Sequence, residues 1–180
     1  AGRDVGLTLE LGGKAANIVY EDAAIDQAVE GVVNGIFFNQ GHVCCAGSRL
    51  LLQESIHDEF VKKLEKRMQS LRVGNPLDKN TDIGAINSKE QLDKITGLVN
   101  EGVEDGGELF QTECELPGNG FWFRPTLFTN VQPSYSIARE EIFGPVLTTL
   151  TFRTPEEAVE IANNTEYGLS AGVWTEKGSK

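Results

Sequence analysis

Two adjacent cysteines, Cys44 and Cys45, lie in the segment Phe38-Asn39-Gln40-Gly41-His42-Val43-Cys44-Cys45-Ala46-Gly47, between one apolar run and the next. A thiol that loses its proton is a strong nucleophile: it can add to a carbonyl carbon and then carry an acyl group as a thioester. Neighbouring Cα atoms are only ~3.8 Å apart, below the usual bridging range, so the pair makes a poor structural disulfide. The plainer use of either cysteine is as a small buried hydrophobe. His42 stands two positions before Cys44. Residues i and i+2 of an extended segment share a face, so a cysteine–histidine pair for hydrolysis or acyl transfer is a second available chemistry.

Elements on both sides must hold that segment. Before it, Ile25, Ala28, Val29, Val32, Val33, Ile36 and Phe37 recur at helical spacing, an apolar stripe that predicts a packed helix with Asp22 as its cap. After it, Leu50 to Gln53 reads as a short strand. The thiols thus occupy a helix-to-strand junction, where a rigid scaffold commonly presents reactive groups. Upstream, Leu7-Thr8-Leu9-Glu10-Leu11 alternates at period two and predicts a strand, broken by Gly12-Gly13 and resumed at Asn17 to Tyr20.

Downstream, Ser55 with Asp58 opens a helix carrying Phe60, Val61, Leu64, Met68 and Leu71, stopped by Gly74-Asn75-Pro76. Ser88 with Gln91 forms a capping box for a helix with Leu92, Ile95, Val99 and Val103, closed by Gly106-Gly107. A strand over 108–111 follows, and Pro125 points to an edge or interrupted strand around Thr126-Leu127-Phe128. Glu140 to Pro145 turns into a strand from Val146 to Phe152. Thr154-Pro155-Glu156-Glu157 starts a helix carrying Ala158, Val159 and Ala162 that ends at Gly168, before a last strand from Leu169 to Trp174. Strands alternating with helices imply a three-layer α/β/α domain around an open, largely parallel sheet, with residues 1–180 as one unit.

Composition excludes several functions. Against 16 Lys and Arg stand 27 Asp and Glu, a net charge of −11, so nucleic-acid backbones and anionic membrane surfaces are disfavoured. The three cysteines form no spaced framework, and with two histidines there is no zinc-type spacing, so no metal is expected and a reducing compartment is. No apolar run approaches the ~20 residues that span a bilayer.

Two stretches carry a resemblance. Glu10-Leu11-Gly12-Gly13-Lys14 and Phe38 to Gly47 resemble the active-site signatures of the NAD(P)-dependent aldehyde dehydrogenase superfamily, with 34 residues (44 − 10) between Glu10 and Cys44. In family order follow Val73-Gly74-Asn75-Pro76, Arg124-Pro125-Thr126, Glu140-Glu141-Ile142-Phe143-Gly144-Pro145, and Ala162-Asn163-Asn164 before Tyr167-Gly168-Leu169. The sequence departs at His42, where the family usually has Gln or Glu, and at Ala85, where Pro is common.

The resemblance implies Cys44, rather than Cys45, as the nucleophile and Glu10 as the general base. It implies Glu141 and Phe143 against the nicotinamide ribose and ring, and Gly12 where the cofactor's nicotinamide end comes close to the backbone. It further implies NAD or NADP as cofactor, a small-molecule aldehyde as substrate, and a homo-oligomeric, cytoplasmic enzyme. In that family a dinucleotide-binding half precedes this region and a tail follows it, so the chain corresponds to the catalytic portion of a longer enzyme.

Overall fold

The computed structural model describes residues 5–178. Six strands form one sheet in the order β3-β4-β5-β2-β1-β6, with β1 at Ala16–Val19, β2 at Arg49–Gln53, β3 at Glu108–Gln111, β4 at Thr126–Thr129, β5 at Val146–Phe152 and β6 at Ala171–Trp174. All neighbours pair in parallel except β3 with β4. Five helices cover it: α1 (Ile25–Phe37), α2 (His57–Met68), α3 (Lys89–Glu104), α4 (Ser136–Arg139) and α5 (Pro155–Asn163).

The two faces bury separate cores. Val19, Leu50, Leu52, Leu127 and Leu147 face the stripes of α1 and α2. Ile18, Leu51, Leu150 and Phe152 face the opposite way, with Ala158 of α5, while Phe128 and Val146 meet α3 and α4. The central strands are buried on both sides and are therefore almost continuously apolar, as parallel strands between two helical layers must be. The expected three-layer architecture is what the chain forms.

Several local expectations differ. No strand forms over 7–11: Leu7, Leu9 and Leu11 are all more than half exposed. Alternation makes a strand only where a neighbour supplies a ladder and a face to bury, and no described strand of this chain lies beside that segment. Helix α1 is capped by Ala24 without a side-chain bond, because the Asp22 carboxylate accepts from the Thr175 hydroxyl. Helix α2 likewise has no side-chain cap; the Ser55 hydroxyl donates to Glu21.

Pro125 does not make an edge. Strand β4 starts just after it and lies between β3 and β5, and the Pro125 carbonyl still accepts from the Thr112 amide. The missing N–H falls outside the ladder. Helix α5 starts as expected, with the Thr154 hydroxyl accepting from the Glu157 amide, but it ends at Asn163 rather than Gly168. Val103 and Val159 are exposed rather than packed.

This burial pattern sets two stability effects apart. Leu52→Ala, at a fully buried strand position, should cost about 2–5 kcal/mol by urea unfolding, whereas Val159→Ala should change stability by less than about 0.5 kcal/mol.

Candidate active site

The strands β1, β2, β5 and β6 run parallel and nearly in step: Ala16 pairs with Arg49 and Ala171, and Arg49 with Thr148. Their amino ends therefore share one rim of the sheet. The segments that enter those ends are residues 10–15, 38–48, 140–145 and 164–170, and they carry every residue singled out from the sequence.

Helix α1 ends at Phe37 and runs into a 3-10 turn over Phe38–Gly41 in which Asn39 and Gln40 adopt left-handed backbone angles. The Asn39 side-chain amide donates to the His42 carbonyl, holding the reversal. Cys44 and Cys45 follow, both exposed, and the chain then enters β2. Two glycines let other segments close on this loop. A Cβ on Gly13 would lie 2.1 Å from the Cys44 carbonyl oxygen, and one on Gly41, at φ +76°, would lie 2.1 Å from the Gly144 carbonyl oxygen. Any side chain at either position would push the backbones apart. The thiol loop is thus in backbone contact with both the 10–15 and the 140–145 segments.

Glu141 spans the same junction. Its Oε1 accepts from the Gly13 amide at 2.8 Å, and its Oε2 takes up the space beside Gly12 that a Cβ would fill. Gly12 and Glu141 are brought together, with the carboxylate lying along the glycine backbone. Phe143 is half-buried at φ +54°, an uncommon backbone state for a bulky residue, and its carbonyl accepts from the side-chain amide of Gln91 at 3.1 Å. Gln91 therefore does not complete the capping box. Ser88 still accepts from the Gln91 amide, but the Gln91 side chain turns to the carbonyls of Ile142 and Phe143.

Glu10 is exposed on a segment without secondary structure, and among the described residues no hydrogen bond joins it to Cys44. His42 is not a partner for Cys44 either. Its Nδ1 lies 2.7 Å from the Phe143 carbonyl oxygen, and its Nε2 accepts from the Asn87 amide at 3.2 Å. With both nitrogens engaged elsewhere, a cysteine–histidine pair is not assembled. Among the described residues no group of three or more His, Cys, Asp or Glu side chains could hold a metal ion, and no helix is long and apolar enough to cross a membrane.

The profile of the family described as "Aldehyde dehydrogenase family" matches residues 2–180. The chain belongs to that family. Retinal dehydrogenase 2 of Taeniopygia guttata is 47% identical over 172 residues, covering 94% of this chain and 33% of that protein. The crystal structure of NAD-dependent aldehyde dehydrogenase from Sinorhizobium meliloti superposes with a TM-score of 0.91 at 45% identity, over 94% of this chain and 34% of that one. Betaine aldehyde dehydrogenase from Staphylococcus aureus, solved in complex with NAD+, gives a TM-score of 0.89 at 37% identity, again over 34% of its length. The chain spans about a third of the length of these aldehyde dehydrogenases.

Behind the Glu10-Leu11-Gly12-Gly13-Lys14 stretch the structure places two buried basic side chains, Lys14 and Arg49, that no local pattern predicts there. Arg49 at the start of β2 donates to the carbonyls of Lys14, Ile161 and Ala162. It thereby satisfies last-turn carbonyls of α5 and anchors the signature segment to that helix end. Lys14 is 1% exposed, and its Nζ has no hydrogen-bond partner among the described residues. Burial first, then the neighbouring Arg49 charge, brings its pKa down to about 7, against the opposite pull of Glu140 and Glu141.

A buried lysine of this kind makes stability depend on pH. Between about 7 and the ordinary lysine value of ~10.4 the unfolded chain binds more protons than the folded one, so stability rises with pH across that window, and the full penalty applies below pH 7. Lys14→Met should therefore raise the melting temperature of this chain at pH 6, by a gain on the order of a few kcal/mol that shrinks steadily towards pH 10. Thermal unfolding of both proteins across that range measures it.

Proposed function

We propose that this chain is the thiol-bearing portion of an enzyme that oxidises an aldehyde to a carboxylic acid with NAD or NADP. The observation that carries this reading is the exposed Cys44 on a loop closed against Gly13 on one side and the 140–145 segment on the other. An exposed thiol held between two converging segments suits attack on a small carbonyl compound.

In this reading the Cys44 thiolate forms a bond to the aldehyde carbon, giving a tetrahedral adduct. A bound NAD(P)+ supplies the hydride acceptor. Cys44 then retains the oxidised carbon as a thioester, Glu10 takes a proton from water, and the resulting hydroxide adds to the thioester carbon. Breaking the C–S bond releases the acid and returns the thiolate. Glu10, exposed and without a hydrogen-bond partner among the described residues, has the freedom to reach that water.

Glu141 and Phe143 are the residues that would hold the nicotinamide end, a half-buried carboxylate suited to ribose hydroxyls and a half-buried ring suited to a planar heterocycle. Gly12, having no side chain, lets the Glu141 carboxylate lie directly against the backbone there. A glycine-rich pyrophosphate turn of the G-x-G-x-x-G type does not occur in this sequence. The complete enzyme, on this reading a homo-oligomer in the cytoplasm, draws its remaining cofactor contacts from outside these residues.

In the full-length protein, Cys44→Ser should abolish aldehyde-dependent formation of NAD(P)H, and Cys45→Ser should keep most of it; equal losses would end the assignment of the nucleophile. Glu10→Gln should slow steady-state turnover while leaving the first turnover intact. Rapid mixing would then record a burst of NAD(P)H followed by a slow phase, and normal steady-state turnover would remove Glu10 from the mechanism.

A further inference from the structure

His42, where the family usually carries Gln or Glu, lies at the contact of three segments. Its Nδ1 is 2.7 Å from the Phe143 carbonyl oxygen, and its Nε2 faces the Asn87 amide at 3.2 Å. Its ring stacks on that of Phe143, with centroids 5.2 Å apart and planes 7° from parallel. These contacts fix the tautomer. A backbone amide can only donate, so Nε2 carries no proton, and a carbonyl can only accept, so Nδ1 does. Only the neutral imidazole with its proton on Nδ1 satisfies both partners.

Phe143 needs such a hold. A bulky residue at φ +54° is strained and keeps that state only where its surroundings over-determine it. His42 supplies a donor to the Phe143 carbonyl and a flat surface for its ring, two residues before Cys44 on the same loop.

We propose that His42 is a positioning residue for the aldehyde dehydrogenase reaction: a neutral imidazole clamp that fixes the Phe143 ring, and with it the nicotinamide end of the cofactor, relative to the Cys44 loop. This rests on the function proposed above. Protonation would place a second N–H opposite the Asn87 N–H, donor against donor, and open the clamp.

The groups facing the imidazole are uncharged: the Phe143 ring and carbonyl, and the Asn87 amide. The ionisable residues along these segments are Cys44, Cys45, Lys89, Glu90, Glu140 and Glu141, and the shift of His42 comes from burial and the Phe143 carbonyl rather than from any of them. Its pKa is lowered from the ordinary histidine value because burial outweighs the Phe143 carbonyl, which pulls the other way. The neutral form therefore prevails at neutral pH, and the clamp opens only in acid.

Two measurements test the proposal, one of them independent of activity. Nitrogen-15 NMR of the imidazoles should find His42 as the Nδ1-protonated tautomer, titrating below the ordinary histidine value of ~6.5. The opposite tautomer, or a titration at or above that value, overturns the clamp whether or not the protein oxidises aldehydes.

In the full-length protein, His42→Leu should raise the Kd for NAD+ or NADP+ about tenfold at pH 7.5, the loss expected for a part-buried hydrogen bond left unmade. His42→Gln, which can donate but does not titrate in this range, should stay within about threefold. Wild-type affinity should fall as the pH is taken below the ordinary histidine value of ~6.5, while that of His42→Gln stays level. Parallel pH profiles for the two, or unchanged binding in His42→Leu, would reduce His42 to a packing residue. A wild-type protein that binds the cofactor with this pH profile yet oxidises no aldehyde would instead overturn the reaction assigned above and leave the clamp standing.

Discussion

Parallel pairing of β1, β2, β5 and β6 is the constraint on which the site depends. In a parallel ladder, strands in step bring like ends together. Here the register of Ala16 with Arg49 and of Arg49 with Thr148 puts the amino ends of successive strands side by side. Segments far apart in sequence then have nowhere to go but one rim. Open α/β sheets generally gather their ligands at the carboxyl ends of the strands. Here the residues singled out from the sequence gather at the opposite rim, in the segments that lead into strands rather than in those that leave them.

Meeting at a rim does not by itself fix distances, and the close contacts are made mostly by backbone. Gly13 on the Cys44 carbonyl and Gly41 on the Gly144 carbonyl are approaches that no side chain permits. Polar groups lock them: the Glu141 carboxylate on the Gly13 amide, Gln91 on the Ile142 and Phe143 carbonyls, and Arg49 on the Lys14 carbonyl and the end of α5. Each bond joins segments separated by at least 35 residues. The thiols, by contrast, stay exposed at the surface of this framework, which is where a reacting carbon can reach them. Rigidity resides in the support and accessibility in the thiols.

Much of the fold is legible in the chain because each local pattern agrees with its final surroundings. The stripe of α1 is buried at Ala28, Val29, Val32, Val33, Ile36 and Phe37, and the cap of α5 bonds as its Thr-Pro-Glu-Glu start demands. Misreadings occur where a side chain has a better distant partner than its local one. Asp22 and Ser55 both resemble caps, but Thr175 and Glu21 take them. Leu7 to Leu11 alternates like a strand, yet alternation only declares which faces would be buried if a neighbour were present.

The sequence by itself determined the α/β class, the helix-to-strand junction that carries Cys44, and, through Glu10-Leu11-Gly12-Gly13-Lys14 and the spacing to the cysteines, the family. Those properties are local or reside in short runs of residues, so they survive being read one segment at a time. Only the tertiary structure decided what His42 does. In sequence it stands beside Cys44 and invites a catalytic pair; in space its two nitrogens face the Phe143 carbonyl and the Asn87 amide. The same holds for Gln91, for Arg49 and for the orphaned amine of Lys14. A hydrogen bond depends on distance and direction, and between residues 35 to 113 positions apart those are set by the packing of the sheet, which no local pattern encodes.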